Sequence, residues 1–368
     1  MVNSYSRHLF VKTNQSCNLN CKYCYEREKN NSIFDEEYTY LKIIDVLREK
    51  TQLGTKIKLI VGEPFIAFKQ IKNFCQKIWS TPLEEKVHFQ ITTNGTLVHG
   101  EIQEWLSTHR NEIDCKLSLD GNKISQDINR PNSFEKIDIT FFANTWRNCT
   151  INMVVTPETL PFFADNVIFL HNSGFTNIVP IFAVLTNWDH HDLKSVYYNQ
   201  LIQLAEFYLC HPEISRCRTL NLHLDRLVNK YDCILCDIGK KIIFDVNSEK
   251  YYPCHLFFPS VCGENHPPHM DSIDFSFRSN FEKEPCKSCK FINICHTCYA
   301  ANFIERGALG NRDMSICDYR KIDFLVNAKL EYWRITNTKN PSSADFLIMK
   351  AISETQQELE IIEKKYLV

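Results

Sequence analysis

Cys17-Asn18-Leu19-Asn20-Cys21-Lys22-Tyr23-Cys24 sets three thiols in a C-x3-C-x2-C array directly after a short apolar run, His8 to Val11, that reads as a strand. Three thiols in one tight loop point to a metal site. A 4Fe-4S cubane normally takes four cysteines, so a site with three leaves one iron open to another ligand. Zinc with a fourth ligand is the competing occupant, although structural zinc motifs favour two separated pairs over one loop of three. A set of unconnected core cysteines fits poorly, because asparagine and lysine crowd the loop.

Downstream, Asp35 to Glu49 carries Leu41, Ile43, Ile44 and Leu47 at helical spacing, and Lys56 to Val61 reads as a strand. The alternation repeats: Phe68 to Trp79 is a predicted helix, Val87 to Thr92 a strand, Glu101 to His109 a helix and Cys115 to Leu119 a strand. Phe134 to Trp146, Thr150 to Val155, Leu160 to Ser173 and Ile178 to Phe182 continue it, and Leu193 to Cys210 closes it with a helix. Six strands alternating with helices predict an α/β fold of right-handed parallel units, curled into a barrel or partial barrel or spread as a doubly wound sheet. No Gly-x-Gly-x-x-Gly follows any strand, so a dinucleotide-type sheet lacks its usual fingerprint.

The chain of 368 residues, 44% hydrophobic, has room for two domains. A formal net charge of -2 argues against a strongly basic nucleic-acid surface. Met1 to Tyr5 shows no charged start leading into an apolar core, so no secretory signal is visible. No apolar run approaches the ~20 residues needed to cross a bilayer. The expectation is a cytoplasmic protein with neither nucleic acid nor membrane as partner, whose 17 cysteines are available to metal before disulfides.

The triad, with the aromatic Tyr23 before its last cysteine, resembles the signature of the radical S-adenosylmethionine (radical SAM) enzymes. The resemblance implies that Cys17, Cys21 and Cys24 hold a 4Fe-4S cluster whose open iron is chelated by SAM. An electron from that cluster would then split the sulfonium to give a 5′-deoxyadenosyl radical. It also implies a partial (β/α)6 barrel over residues 1–216, with the chemistry at the C-terminal strand ends. Gly62-Glu63-Pro64 resembles the family's G-G-E-P motif, which holds the amino group of SAM, with Val61 in place of the first glycine. Thr92-Thr93-Asn94-Gly95 offers Thr92 and Asn94 at the third strand end, an ordinary Asn-Gly turn being the alternative. Ser118 and Arg130 match positions that contact the ribose and carboxylate of SAM in similar enzymes, and an arginine can donate two parallel hydrogen bonds to a carboxylate. The alternative for Arg130 is surface pairing with Asp127.

From residue 217 the β/α alternation stops and cysteines become dense. Cys233-x2-Cys236 is followed by Cys254, then by Cys286-x2-Cys289-x5-Cys295-x2-Cys298 and by Cys317. These eight divide into two sets of four, each able to complete a 4Fe-4S cluster, with zinc-ribbon halves as the competing reading. The arrangement resembles the SPASM extension of radical SAM enzymes that modify peptides. It implies that Cys233, Cys236, Cys254 and Cys298 hold a cluster near the active site, and Cys286, Cys289, Cys295 and Cys317 an outer one, within a domain of residues 217–322. Two departures stand out: Glu249 replaces the usual hairpin glycine, and the last pair has two intervening residues where the family has three. Val261 to Ser279 reads as a loop excursion. Cys75 and Cys149 read as small core residues, and Cys115, Cys210, Cys217 and Cys262 lack ligand spacing, with Cys217 or Cys262 as substitutes should the assignment fail.

Residues 323–368 are expected to form a helical extension. Ile322 to Ile335 is one predicted helix, Asn340-Pro341-Ser342 a break and Ala344 to Tyr366 a second helix. Phe346, Leu347, Ile348, Ile352, Leu359 and Ile362 make an apolar stripe on it, a packing face or else a docking face for a partner protein. Only 16 residues precede the triad, so a leader-peptide-binding module is expected as a separate protein or not at all.

Taken together, the resemblances imply three 4Fe-4S clusters, SAM, and an electron donor such as flavodoxin or ferredoxin. Auxiliary clusters give a substrate's second electron a way out, so the chemistry implied is a two-electron oxidation. His255, directly after Cys254, is a candidate base, or else a histidine hydrogen-bonded beside a cluster sulfur; His190-His191 reads as a solvated loop. Sulfatase-maturing relatives carry aspartate at the position of His255. The expected function is therefore oxidative maturation, by cross-linking, of a ribosomally made precursor peptide. A formylglycine-forming sulfatase maturase and a non-enzymatic iron-sulfur or zinc binder are the alternatives.

Overall fold

The computed structural model describes residues 5, 7–26, 29, 31, 33–49, 51–229, 232–236, 238–239, 242–245, 248–263, 267 and 270–366. The expectations for Met1 to Ser4 and for part of the 261–279 excursion lie outside them. The first half alternates strictly: β1 (Arg7–Lys12), α1 (Glu36–Arg48), β2 (Thr55–Ile60), α2 (Phe68–Ser80), β3 (Val87–Thr93), α3 (Glu101–Thr108) and β4 (Ile113–Ser118). It continues through α4 (Lys123–Asn129), α5 (Ile139–Thr145), β5 (Thr150–Val155), α6 (Phe163–Asn172), β6 (Asn177–Phe182) and α7 (His191–Cys210). Strands β1 to β6 are parallel neighbours in sequence order, the arrangement of a partial (β/α)6 barrel.

Alternate residues explain why the sheet has two unlike faces. Leu9, Val11, Ile57, Leu59, Phe89, Ile91, Cys115, Leu117, Ile151 and Met153 are buried and belong to the main core. The opposite face carries half-buried Lys56, His88, Gln90 and Asp114. There Lys56 and Gln90 both donate to Asp114, at 2.9 Å and 3.2 Å. A parallel sheet covered on both faces is apolar on both; charge on one face marks it as the lumen.

The sheet does not end with β6. Strand β7 (Ile242–Asp245) runs parallel to β1, pairing Val11 with Phe244, and β8 (Lys250–Tyr252) returns antiparallel. The order is β6-β5-β4-β3-β2-β1-β7-β8. The hairpin of the cysteine-rich region is thus main-chain bonded to the barrel. Glu249, at its turn, has φ +54°, the left-handed region where a glycine is usual. After it come α8 (Pro259–Cys262), α9 (Tyr299–Arg306), α10 (Cys317–Thr336), α11 (Ser343–Glu354) and α12 (Gln356–Tyr366). A second core of Ile234, Ile243, Tyr252, Phe257, Phe258, Phe275 and Tyr299 meets the barrel at Phe10, Ile60 and Val61.

Several expected elements differ. Phe134 to Trp146 is a 3₁₀ turn, Phe134–Lys136, followed by α5, because Asp138 accepts from the Phe141 amide and starts a new helix. Ala344 to Tyr366 is two helices, broken where the Thr355 hydroxyl bonds back to the Ala351 carbonyl. Leu41 and Phe346, read as core-facing, are 59% and 66% exposed. His191 opens α7 and is not in a loop; His190 is exposed, and its carbonyl accepts from Tyr319. Among the described residues no helix is long and apolar enough to cross a membrane.

Candidate functional site

The triad loop leaves the C-terminal end of β1 and is held from below by Gly62. A Cβ on Gly62 would stand 2.2 Å from the Ser16 carbonyl oxygen, and φ is +62°, so only glycine fits. The Glu63 amide donates to that same carbonyl at 2.9 Å. Val61, where the family pattern has glycine, adopts φ +76°, a strained conformation for a β-branched residue.

Glu63 is fully buried and accepts three hydrogen bonds, from the Thr93 hydroxyl at 2.8 Å, the Asn94 amide at 2.7 Å and the Phe65 amide at 3.2 Å. Burial nevertheless pushes its carboxyl up to about 7, against these donors and Arg130. Pro64 opens the following 3₁₀ turn, Pro64–Ala67. Thr93 reaches Glu63, and period-2 alternation puts Thr92 on the lumen face. Asn94 donates to Asn18 at 2.9 Å and lies 4.0 Å from the Cys17 sulfur. Ser118 is half-buried at the end of β4.

Arg130 is buried, and its partner is Asp120. Nε lies 2.9 Å and Nη2 3.4 Å from the Asp120 oxygens, while Nη1 lies 3.8 Å from the Cys21 sulfur. Asp127 instead pairs with Lys123 and accepts from the Ser133 and Phe134 amides. Asp120 also accepts from the Tyr23 hydroxyl at 2.8 Å, the Asn129 amide group at 3.3 Å and the Val154 amide at 2.8 Å. The Arg130 guanidinium sits 5.2 Å from the centre of the Tyr23 ring. Burial pushes all three triad thiols up, and Arg130 opposes it at Cys21.

The eight later cysteines are all half-buried. Burial pushes the Cys286, Cys295 and Cys317 thiols up, with smaller contributions from the charges of Cys289 and Cys317 at Cys295 and of Cys289 and Cys286 at Cys317. Cys298 feels Cys236 and also caps α9 through the Ala301 amide. Burial pushes Cys295 and Cys298 up to about 11. Tyr25 connects the two fields: its ring is 5.4 Å from that of His255, and it feels both Cys24 and Cys254. His255 Nδ1 lies 4.0 Å from the Cys254 sulfur. Of the remaining thiols, Cys75, Cys115, Cys149, Cys217 and Cys262 are buried and Cys210 is exposed.

Among the described residues no three His, Cys, Asp or Glu side chains converge on a point that could hold a single metal ion. The donor set itself fits a larger anionic centre with SAM. Three thiols share one loop, the N–H groups of Arg130 and Asn94 face two of the sulfurs, and a buried carboxylate and an unsatisfied Asn14 carbonyl oxygen lie beside Gly62. Thr93, Asp120, Tyr25 and Glu26 were not singled out from the sequence. Only Thr93 carried a usable signal, since Val87, Phe89 and Ile91 fix the face on which it falls.

The radical SAM superfamily model matches residues 11–160. An uncharacterized protein of Methanocaldococcus jannaschii is 28% identical over 183 residues, 47% of this chain and 61% of that protein. GTP 3′,8-cyclase of Clostridium perfringens is 24% identical over 188 residues, 49% of this chain and 56% of the enzyme. The chain thus spans about three fifths of the length of these relatives. Among solved structures, native anSMEcpe with bound AdoMet superposes with a TM-score of 0.66 at 18% identity, covering 94% of this chain and 100% of that one. Streptococcus suis SuiB bound to its precursor peptide SuiA gives 0.53 at 18% identity, covering 85% and 76%. At these identities the likeness is one of fold.

Proposed function

We propose that this chain, whose residues 11–160 match the radical SAM superfamily model, is a radical SAM peptide maturase with a SPASM-type cysteine-rich region that oxidatively cross-links side chains of a ribosomally made precursor. Residues 1–216 would carry the SAM-dependent step, residues 217–322 two auxiliary clusters, and residues 323–368 a helical buttress. Bound at Cys17, Cys21 and Cys24, a 4Fe-4S cluster with SAM supplies one-electron cleavage of the sulfonium and abstraction of a hydrogen atom from carbon. The chain's own residues do the rest. Glu63, held by Thr93 and Asn94, accepts the SAM ammonium. Arg130, fixed by Asp120, offsets charge at Cys21. Tyr23, Gly62 and Pro64 shape the loop, and Ser118 and Thr92 line the strand ends. His255 takes up the proton released on oxidation. Cys233, Cys236, Cys254 and Cys298 would hold one auxiliary 4Fe-4S cluster and Cys286, Cys289, Cys295 and Cys317 another, groups that would supply redox chemistry matched to a flavodoxin- or ferredoxin-like carrier in the cytoplasm.

The observation that carries this reading is the approach of the two cysteine fields across Tyr25 and His255. The peptide-bound anSMEcpe and SuiB structures support a peptide as substrate. The second reading is a sulfatase-type maturase, a function that the same fold also fits. The test is anaerobic reconstitution with SAM and a reductant, together with co-expression beside a short neighbouring open reading frame. Formation of 5′-deoxyadenosine and loss of two hydrogens from the peptide are expected. An aldehyde on a Cys or Ser peptide would select the second reading, and absence of the nucleoside from iron-loaded protein would leave only a binder.

A further inference from the structure

Charge is unevenly placed along the chain. Its formal net charge is -2, yet residues 283–321, which carry Cys286, Cys289, Cys295 and Cys317, hold seven lysines and arginines against four acids. Most of these charges are matched: Lys290 pairs with Glu358, Arg306 with Glu305 and Asp313, Arg320 with Asp323, and Asp318 with Lys194 and Lys365. Four cations are left over. Among the described residues Lys283, Lys287, Arg312 and Lys321 have no carboxylate partner, and the one acid of the stretch without a basic partner is Glu284, which accepts from the Ser288 hydroxyl at 2.7 Å.

These four cations lie beside the thiols. Lys287 is exposed between half-buried Cys286 and Cys289. Lys283, also exposed, donates to the Asn311 side chain at 3.1 Å, and the adjacent Arg312 donates to the Cys295 carbonyl at 3.4 Å. Lys321 follows Cys317 by one turn of α10, on the same face. Met314 is 49% exposed, and its carbonyl accepts from the Cys317 amide at 3.2 Å, so it sits at the start of that helix. An exposed, adaptable thioether beside cations has the make-up of a small transient interface, with an apolar centre and a polar rim. Like charges gathered on one surface repel one another, and a partner that brings negative charge relieves the repulsion. The thiols narrow the kind of partner. A protein seated on Lys287 and Met314 stands within a few residues of Cys286, Cys289 and Cys317, and electron transfer falls off steeply with distance.

We infer that the surface of Lys283, Lys287, Arg312 and Lys321, with Met314 at its centre, docks an acidic one-electron carrier protein beside the outer cysteine set. This deepens the maturase reading and rests on its assignment of that set to a cluster. The cations act chiefly on encounter: rim charges steer an oppositely charged partner and fix its orientation more than they add to affinity.

The test is surface plasmon resonance on the anaerobically reconstituted, full-length protein with an acidic flavodoxin, a basic cytochrome c and a single-stranded oligonucleotide as probes. The flavodoxin is expected to associate at about 50 mM salt and at least about tenfold more slowly at about 300 mM, as screening shortens the reach of the charges, while the cytochrome c does not bind. Lys287→Glu combined with Lys321→Glu is expected to slow association at least about tenfold at the lower salt, and Lys69→Glu, at an exposed position of α2, to leave it unchanged. Carbodiimide cross-linking of the unsubstituted protein to the flavodoxin, mapped by mass spectrometry, should join Lys283 or Lys287 to flavodoxin carboxylates. No binding of the flavodoxin, association indifferent to salt, equal binding of the cytochrome c, tighter binding of the oligonucleotide, or cross-links confined to other lysines would each overturn the inference. Those readouts use only the unsubstituted protein, so a variant that failed to load iron would not obscure them. SAM cleavage by the same preparation with a chemical reductant reports separately on the underlying enzyme reading.

Discussion

Asp120 grips Arg130 through Nε at 2.9 Å, with the aspartate side chain 0% and the arginine side chain 8% exposed. Removing one partner of such a pair strands a buried charge, which costs about 3–5 kcal/mol. Asp120→Ala should lose that much in urea denaturation, with the Tyr23 hydroxyl losing its acceptor as well. Arg130→Ala should cost a similar amount. Since each removes the same contact, the double variant should cost clearly less than the two together; strict additivity would show that the pair is not coupled.

Glu63 makes stability depend on pH. Its folded-state value, raised by burial from 4.5 to about 7, means that folding favours the protonated form. That contribution is complete below 4.5 and is lost as pH climbs through 7, on the order of 3 kcal/mol in all. In SAM-free protein the melting temperature should fall across this window, and Glu63→Gln should flatten the fall. Parallel profiles for the two proteins would rule the assignment out.

Val61 sets strain against packing. A non-glycine residue held in the left-handed region costs about 1–3 kcal/mol, and burying a valine gives back about 1.5–3 kcal/mol. Val61→Gly trades one for the other and should stay within about 1 kcal/mol of the native protein. Val61→Ala loses packing and keeps most of the strain, so it should be the less stable of the two. The reverse order in chemical denaturation would mean that the left-handed turn is not strained.

Metal content offers a fourth check. Three clusters correspond to about twelve irons per chain, and replacing Cys17, Cys21 and Cys24 together by serine should leave about eight. Zinc in place of iron at either later set, measured by elemental analysis, would remove the electron route proposed for it.

Much of this was readable in advance where the signal is local. The β/α alternation and the triad depend on neighbours in sequence, and Val61 and Glu249 stood out as departures from glycine at the very positions that adopt φ of +76° and +54°. What could not be read is what depends on distant partners. Asp127 is the nearer carboxylate to Arg130 in sequence, yet Asp120 takes it because Asp127 is spent on Lys123 and the turn at Ser133. No periodicity says that Phe244 will lie beside Val11. Thr355 interrupts a helix without glycine or proline, so an unbroken apolar period runs straight through it.

That pairing of Phe244 with Val11 governs how the molecule comes apart. Cutting the chain at residue 216 would bare the flank of β1 and strip Phe10, Ile60 and Val61 of their apolar cover. The front half alone is therefore a poor candidate for expression as a minimal enzyme. The barrel and the hairpin should therefore melt as a single cooperative unit, and amide exchange along β1 and β7 should slow or quicken in step.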